Sequence, residues 1–344
     1  MLTERIESGW IGAFAQVFER CAIRREEAVV ILSETRSRAL NVELAALALG
    51  QMGLRYMHLQ VPSPAPPPGP VIRSTGACQA LEGQALALRT LAEADVVIDL
   101  TVEGLMHAAQ TAEILKGGAR VMNVSNEHPD ALMRLVPDDG LKDQAKEAVR
   151  QCRAASEMWV RSDAGTDLRI AMQGAATVGI WGWTDRPGTL AHWPGGIVVS
   201  FPVKGAVNGR LAYRAGDINL TFKRYFDSGV DLVVEQDYVT RIEGTGTDAW
   251  LMRDYLAGFA EADAYATSHV GWGFNRAARY EALTMYDKAD TNGTELRALA
   301  GNFLYSTGAN EFAGRFARGH FDLPMMGCDI VLDGVAVVRG GKLA

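Results

Sequence analysis

Apolar and polar positions along the first part of the chain fall into two alternating patterns. Short β-branched runs occur at 27–34, 55–61 (RYMHLQV), 95–100 (DVVIDL) and 119–124 (ARVMNV). Between them, 38–52 and 81–94 repeat apolar residues at the spacing of one helix face. Apolar strands alternating with helices predict a parallel sheet covered on both faces, because each crossover lays a helix against it. A long helix over 141–158 closes this α/β domain, assigned to residues 1–158. Six prolines within 62–70 (PSPAPPPGP) predict a stiff, extended surface loop.

Beyond residue 160 the pattern changes. The runs 196–201, 209–213, 217–222 and 231–242 read as strands separated by Gly, Asp or Asn turns. Helical spacing follows at 247–262 and 276–286, and strand spacing returns at 328–339. The second domain, 159–344, is therefore expected to be α+β and rich in antiparallel sheet. The segment Gly244-Thr-Gly246-Thr-Asp-Ala249 superficially fits a dinucleotide fingerprint, with Glu261 and Asp263 at ribose distance. It lies in the antiparallel half, however, and the α/β half has no glycine-rich phosphate loop. No nicotinamide, flavin or haem is expected.

Composition narrows the field. With 48% hydrophobic and 22% charged residues, disorder is excluded. A formal charge of −7 is the wrong sign for nucleic acid or for an anionic membrane surface. The N-terminal sequence has no basic segment leading into an apolar stretch, and no apolar run reaches the length of about 18 residues that spans a bilayer. Cys21, Cys78, Cys152 and Cys328 are scattered, without a Cys-x-x-Cys pair. They predict reduced thiols and a cytoplasmic protein.

Candidate chemistry rests with the histidines. His58, in a strand, and His128, in a polar turn, read as structural. His107 follows the run DVVIDL, and open α/β sheets bind ligands beyond the carboxyl ends of their strands. His192 lies beside Trp193 in a loop ending Pro-Gly-Gly, and His269 lies among glycines that permit close backbone approach. His320 and Asp322 form a His-x-Asp pair whose side chains share one face of an extended segment, a spacing that suits one cation. Ser306 ends the apolar stretch beginning at Asn302. Dioxygen reacts slowly with closed-shell molecules without a redox metal or an organic cofactor, and non-haem Fe(II) favours imidazole plus carboxylate with open positions. Spare histidines then serve as acids and bases near neutral pH.

The stretches EILKGGARV, WVRSDAGTDL, RPGTLAHWPGG, SHVGWGFNRAA, NFLYSTGANEFAG and HFDLPMMGCDIVLDG, in that order, resemble the bacterial 2,5-dihydroxypyridine 5,6-dioxygenases. Those enzymes share a two-domain fold with the aminopeptidase T-type metallopeptidases. The resemblance implies a mononuclear non-haem Fe(II) held by His269, Ser306 and Asp322, with His107 and His192 as acid–base and substrate-contacting residues. The site would lie in the inter-domain cleft, with His320, Trp193 and Trp272 beside the metal or ring. It also implies a small hydroxylated heteroaromatic substrate, O2, a homo-oligomer, and no nucleic-acid or membrane partner.

Two readings compete. One is the same chemistry on another hydroxylated N-heterocycle. The other is an aminopeptidase-like metallohydrolase. Against the latter, the peptidases' Pro-x-Gly-Glu segment is here Pro194-Gly-Gly-Ile197, and their Glu-Leu-Gly-x-Gly is His269-Val-Gly-Trp-Gly273. Two adjacent divalent ions need carboxylates to offset their repulsion, and two are missing.

Overall fold

The structure is a computed structural model that describes residues 5–65, 69–70 and 75–344. The centre of the proline-rich loop, Pro66, Pro67 and Pro68, lies outside the described residues.

Strands β1 (Val29–Glu34), β2 (Tyr56–Val61), β3 (Val96–Asp99) and β4 (Arg120–Val124) pair in parallel in the order β2-β1-β3-β4. Each falls inside an expected run, as do helices Ala39–Gln51 and Ala85–Ala92. β1 is buried at every residue because its alternate side chains enter two separate cores. Val29 and Ile31 pack with Phe14, Phe18, Leu44 and Leu49 on one face. Val30 and Leu32 pack with Leu81, Leu91 and Ile114 on the other. Helix Ser8–Arg20, not expected from the sequence, supplies Phe14 and Phe18.

The remaining strands begin with β5 (Glu157–Arg161), β6 (Asp167–Ala171), β7 (Ala176–Ile180), β8 (Leu190–Trp193), β9 (Ile197–Phe201) and β10 (Val207–Tyr213). Next come β11 (Ile218–Asn219), β12 (Arg224–Tyr225), β13 (Val230–Glu235) and β14 (Tyr238–Glu243). The chain ends with β15 (Thr267–Gly273), β16 (Phe303–Thr307), β17 (Phe321–Met325), β18 (Asp329–Leu332), β19 (Val335–Arg339) and β20 (Lys342–Leu343). Two antiparallel sheets dominate this half: one ordered β14-β13-β10-β6-β5-β18-β19-β20, the other β17-β16-β15-β9-β7. One core joins them, with Val160, Leu168 and Leu211 from the larger sheet and Val198, Val270, Phe303 and Phe321 from the smaller.

Several expectations change in detail. The 231–242 run is a hairpin, β13 and β14, turned by Gln236 and Asp237 at positive φ. The 217–222 run keeps only the two-residue β11, and 276–286 is mostly turns, with helix only at Ala282–Met285. The helix expected over 141–158 is Asp139–Ala154, followed at once by β5. Its stripe of Leu141, Ala145, Ala148 and Cys152 packs into the core of the second half, not the first. Conversely, β8 leaves the second half and pairs in parallel with β4, completing the first sheet. The expected boundary after residue 158 thus falls among elements already packed with the second half, and 190–193 returns to the first.

The two halves are also clamped. The buried Glu127 carboxylate accepts backbone N–H bonds from Asn292 (3.0 Å), Gly293 (2.8 Å) and Thr294 (2.7 Å). Arg134 donates to both carboxylate oxygens of Glu295 at 2.6 and 2.7 Å. Among the described residues, no helix is long and apolar enough to cross a membrane.

Candidate active site

The first half contributes two histidines from the carboxyl-terminal edge of its parallel sheet. His107 sits in the loop after β3, which Asp99 organises. The buried Asp99 carboxylate accepts from Thr101 N (3.0 Å), Thr101 Oγ1 (2.7 Å), Leu105 N (2.9 Å) and Asn123 Nδ2 (2.9 Å). Gly76 lies against this loop with φ +68°, and a Cβ there would come within 3.2 Å of the His107 ring, so the close approach requires glycine. His192 is on β8, opposite Asn123 of β4.

The second half contributes one face of its five-stranded sheet. Ser306 of β16 and Asp322 of β17 are direct cross-strand partners, and His320 lies two residues before Asp322, on the same face. His269 reaches that face through a β-bulge. Thr267 pairs with Thr307 but Val270 pairs with Tyr305, so Ser268 and His269 together oppose Ser306. The extra residue turns His269 toward the cleft while Val270 stays in the core.

These groups converge on Asp322, which is buried. Its Oδ1 accepts from Ser306 Oγ and lies 3.2 Å from His320 Nε2 and 3.9 Å from His269 Nε2. Its Oδ2 accepts from Arg297 Nε at 2.7 Å and from Arg297 Nη2. Burial alone would push the Asp322 carboxyl up, but the Arg297 guanidinium and His320 hold it well below the usual carboxylate range. Burial pushes His269 well down, against the pull of Asp322, so the ring is neutral near pH 7. Donor nitrogens of His107, His269 and His320 lie within 4.8 Å of one another, and Nδ1 of His269 and of His320 is buried without a protein partner. Two unpartnered imidazole nitrogens beside a buried anionic carboxylate are a donor set that fits a divalent transition metal.

His107, His192, His269, His320 and Asp322 line one cavity of about 80 Å³, with Ser306 bonded behind Asp322. The rest of the lining is largely apolar: Ile180, Ile197, Val199, Phe201 and Leu304, from the neighbouring strands of the same sheet. The cavity shares Met106, His107, Val178 and Phe201 with a wide surface groove. The two tryptophans placed beside the site by their sequence neighbours are elsewhere. Trp193 is fully buried, stacks edge-on against Phe14 and donates to the Leu135 carbonyl at 2.8 Å. Trp272 lies in the core between the two antiparallel sheets, as does Tyr305. Strand alternation displaces both: Trp193 directly follows His192, and Trp272 shares the core-facing side of β15 with Val270, so each points away from the cleft.

Sequence reading missed three polar residues. Arg297, in a short helix, resembles any solvated helical arginine. Glu311 lies inside the recognised stretch NEFAG but carries no spacing signal. Lys223 is buried, and its ammonium donates to the carbonyls of Leu220 (2.9 Å) and Asn292 (2.7 Å). Burial pushes Lys223 down from 10.5 to about 7. Between those values the unfolded chain binds the proton and the folded chain does not, so stability rises with pH across this window. The urea midpoint of the wild type is therefore expected to climb from pH 7 to pH 9 relative to Lys223→Met. Parallel curves for the two proteins would contradict the burial of this ammonium.

An α/β half closed over an antiparallel sheet that carries buried histidines and a carboxylate defines an aminopeptidase T-like two-domain fold. Wild-type AmpT from Thermus thermophilus matches it with a TM-score of 0.64 over 97% of this chain and 99% of its own, at 12% identity, a likeness of fold alone. Within that fold the chain belongs to the 2,5-dihydroxypyridine 5,6-dioxygenase family, whose sequence model matches residues 9–344. It is 32% identical over 334 residues to the 2,5-dihydroxypyridine 5,6-dioxygenase of Pseudomonas putida KT2440, covering 96% of this chain and 94% of that protein. A solved structure of 2,5-dihydroxypyridine dioxygenase from the same strain matches with a TM-score of 0.92 at 31% identity, over 98% of each chain.

Proposed function

We propose that this protein is an Fe(II)-dependent dioxygenase that opens 2,5-dihydroxypyridine or a close hydroxypyridine between C5 and C6. The observation that carries this reading is the buried convergence of His269, Asp322, His107 and His192 on a single small cavity, with Ser306 bonded to Asp322 behind it. The family relationship supports the substrate class. With 2,5-dihydroxypyridine the atoms balance as C5H5NO2 + O2 → C5H5NO4, which is N-formylmaleamic acid. The hydroxyl-bearing carbon ends as the carboxyl group and its C–H neighbour as the N-formyl group.

His269 and Asp322 would hold the iron together with Ser306, which already faces the same carboxylate oxygen. Bound there, Fe(II) supplies the one-electron chemistry that lets O2 react with a closed-shell ring. The protein's own groups bind the ring and manage its protons. His192 Nδ1–H donates to the Pro194 carbonyl at 2.7 Å, and burial pushes the ring down to about 4, so it is neutral at pH 7. Its Nε2 is thereby left as an acceptor for a ring hydroxyl or ring N–H. The wall of Ile180, Val199, Phe201 and Leu304 excludes water from the face of the ring. Ile197, an aliphatic residue on the cavity wall, supports oxygen chemistry over a two-metal hydrolase.

Anaerobic loading with Fe(II), followed by addition of 2,5-dihydroxypyridine and air, tests the proposal. One O2 consumed per ring lost, with disappearance of the aromatic ultraviolet band, is the expected result. Iron binding without oxygen uptake would shift the substrate to another hydroxylated heterocycle. Failure to bind iron would remove the proposal.

A further inference from the structure

His107 carries a contact that the family resemblance did not supply. Its Nδ1 lies 3.2 Å from Oε1 of Glu311, which belongs to the other half of the molecule. A carboxylate can only accept, so Nδ1 bears the proton, and in the singly protonated ring Nε2 keeps its lone pair. The His107 side chain is buried, whereas that of Glu311 is about one-third exposed.

The turn that presents Glu311 is itself anchored. Asn310 is fully buried; its Oδ1 accepts from Ala313 N at 3.0 Å and its Nδ2 donates to the Pro202 carbonyl at 2.9 Å. Phe312, the next residue, packs on Phe201 of the cavity wall with ring centroids 5.0 Å apart. Glu311 is thus delivered to His107 by the same wall that encloses the substrate space.

We infer that Glu311 is a positioning residue that fixes His107 as the Nδ1–H tautomer, making His107 Nε2 the proton acceptor toward the substrate. The inference rests on the dioxygenase reading for its reaction, though not for the pairing itself. It divides the labour between the two cleft histidines. His107, backed by a carboxylate, takes the proton from a ring hydroxyl. His192, backed by a neutral carbonyl, accepts a hydrogen bond and orients the ring. The pairing also spans the cleft, so the proton acceptor is set only when the two halves are together.

The test compares Glu311→Ala and Glu311→Gln with the wild type in steady-state oxygen uptake, iron content and the ¹⁵N spectrum of the metal-free protein's His107. Glu311→Ala is expected to lower kcat by about 10²-fold, the range in which proton-transfer and orientation effects act, with KM and iron content within twofold. Glu311→Gln, whose amide oxygen accepts the same bond, is expected to recover most of kcat. In the spectrum, His107 is Nδ1–H in the wild type and Glu311→Gln, and mixed in Glu311→Ala. Unchanged kcat in Glu311→Ala, or a wild-type His107 protonated on Nε2, overturns the inference. If the wild type fails to consume 2,5-dihydroxypyridine, the functional reading fails, while the spectrum still decides the pairing.

Discussion

Replacing His269 by alanine is expected to strip the protein of iron and abolish ring opening together. The ring occupies the one position where the bulge in β15 turns a side chain out of the core and toward Asp322. It is buried and neutral near pH 7, so its nitrogen needs no proton removed before it binds a metal. Losing an outer hydrogen-bond partner of a metal ligand typically costs ~10–100-fold in affinity or activity, and loss of a ligand should exceed that. Asp322→Asn, which keeps the shape and removes the charge, is expected to behave in the same way. Metal analysis after Fe(II) loading, alongside oxygen uptake, checks both variants. Stoichiometric iron and full turnover in His269→Ala would sink the ligand assignment, whatever happened at Asp322.

The second large effect concerns stability. Arg297 donates two bonds to one oxygen of Asp322, leaving Oδ1 to Ser306 and the histidines. The carboxylate is only 2% exposed, so removal of the guanidinium leaves a buried charge without its main compensation. Breaking such a pair by deleting one partner costs about 3–5 kcal/mol. Arg297→Ala is therefore expected to lower the thermal midpoint of the metal-free protein clearly, and Arg297→Lys to restore only part of the loss, because an ammonium cannot reproduce the planar fork. A divalent cation at Asp322 would supply the missing positive charge. Metal addition should accordingly raise the midpoint of Arg297→Ala more than that of the wild type. An unchanged midpoint in metal-free Arg297→Ala would mean that Asp322 is not held as an anion by this contact.

How much of this could be read beforehand follows from what kind of information each feature needs. The parallel sheet was legible because β1, β3 and β4 are apolar on both faces and their crossovers carry helical spacing. The position of His107 was legible through the same sheet, since its loop leaves the carboxyl end of β3. The set of His269, Ser306, Asp322, His107 and His192 came from resemblance, and the fold brings all five to one place, although His107 is more than 100 residues from His269, Ser306 and Asp322 in sequence. The tryptophans show the limit. Trp193 adjoins His192 in sequence, yet consecutive strand residues face opposite ways, so nearness along the chain meant distance in space. The bulge at Ser268 and His269 depends on pairing with β16 and leaves no trace in local composition. The inward helix stripe of Leu141, Ala145, Ala148 and Cys152 was visible, but nothing local says which of two cores it enters. Arg297 and Glu311 gain their meaning only from partners 25 and 204 positions away.

The return of β8 to the first sheet bears on whether the molecule can be taken apart. A fragment ending at residue 158 would lack the strand that covers β4 and would expose a row of unpaired backbone groups along a parallel edge, a template for intermolecular pairing. It would also carry Asp139–Ala154 with its apolar stripe stripped of the sheet it covers. The complementary fragment would begin at β5 with Leu190–Trp193 as an extended segment that has no sheet to join. Neither piece is a self-contained folding unit, and His192, which sits on β8, would be lost from the one and misplaced in the other. The cleft is thus stitched by the chain itself: the polypeptide that forms its floor must leave, contribute one strand to the roof, and come back.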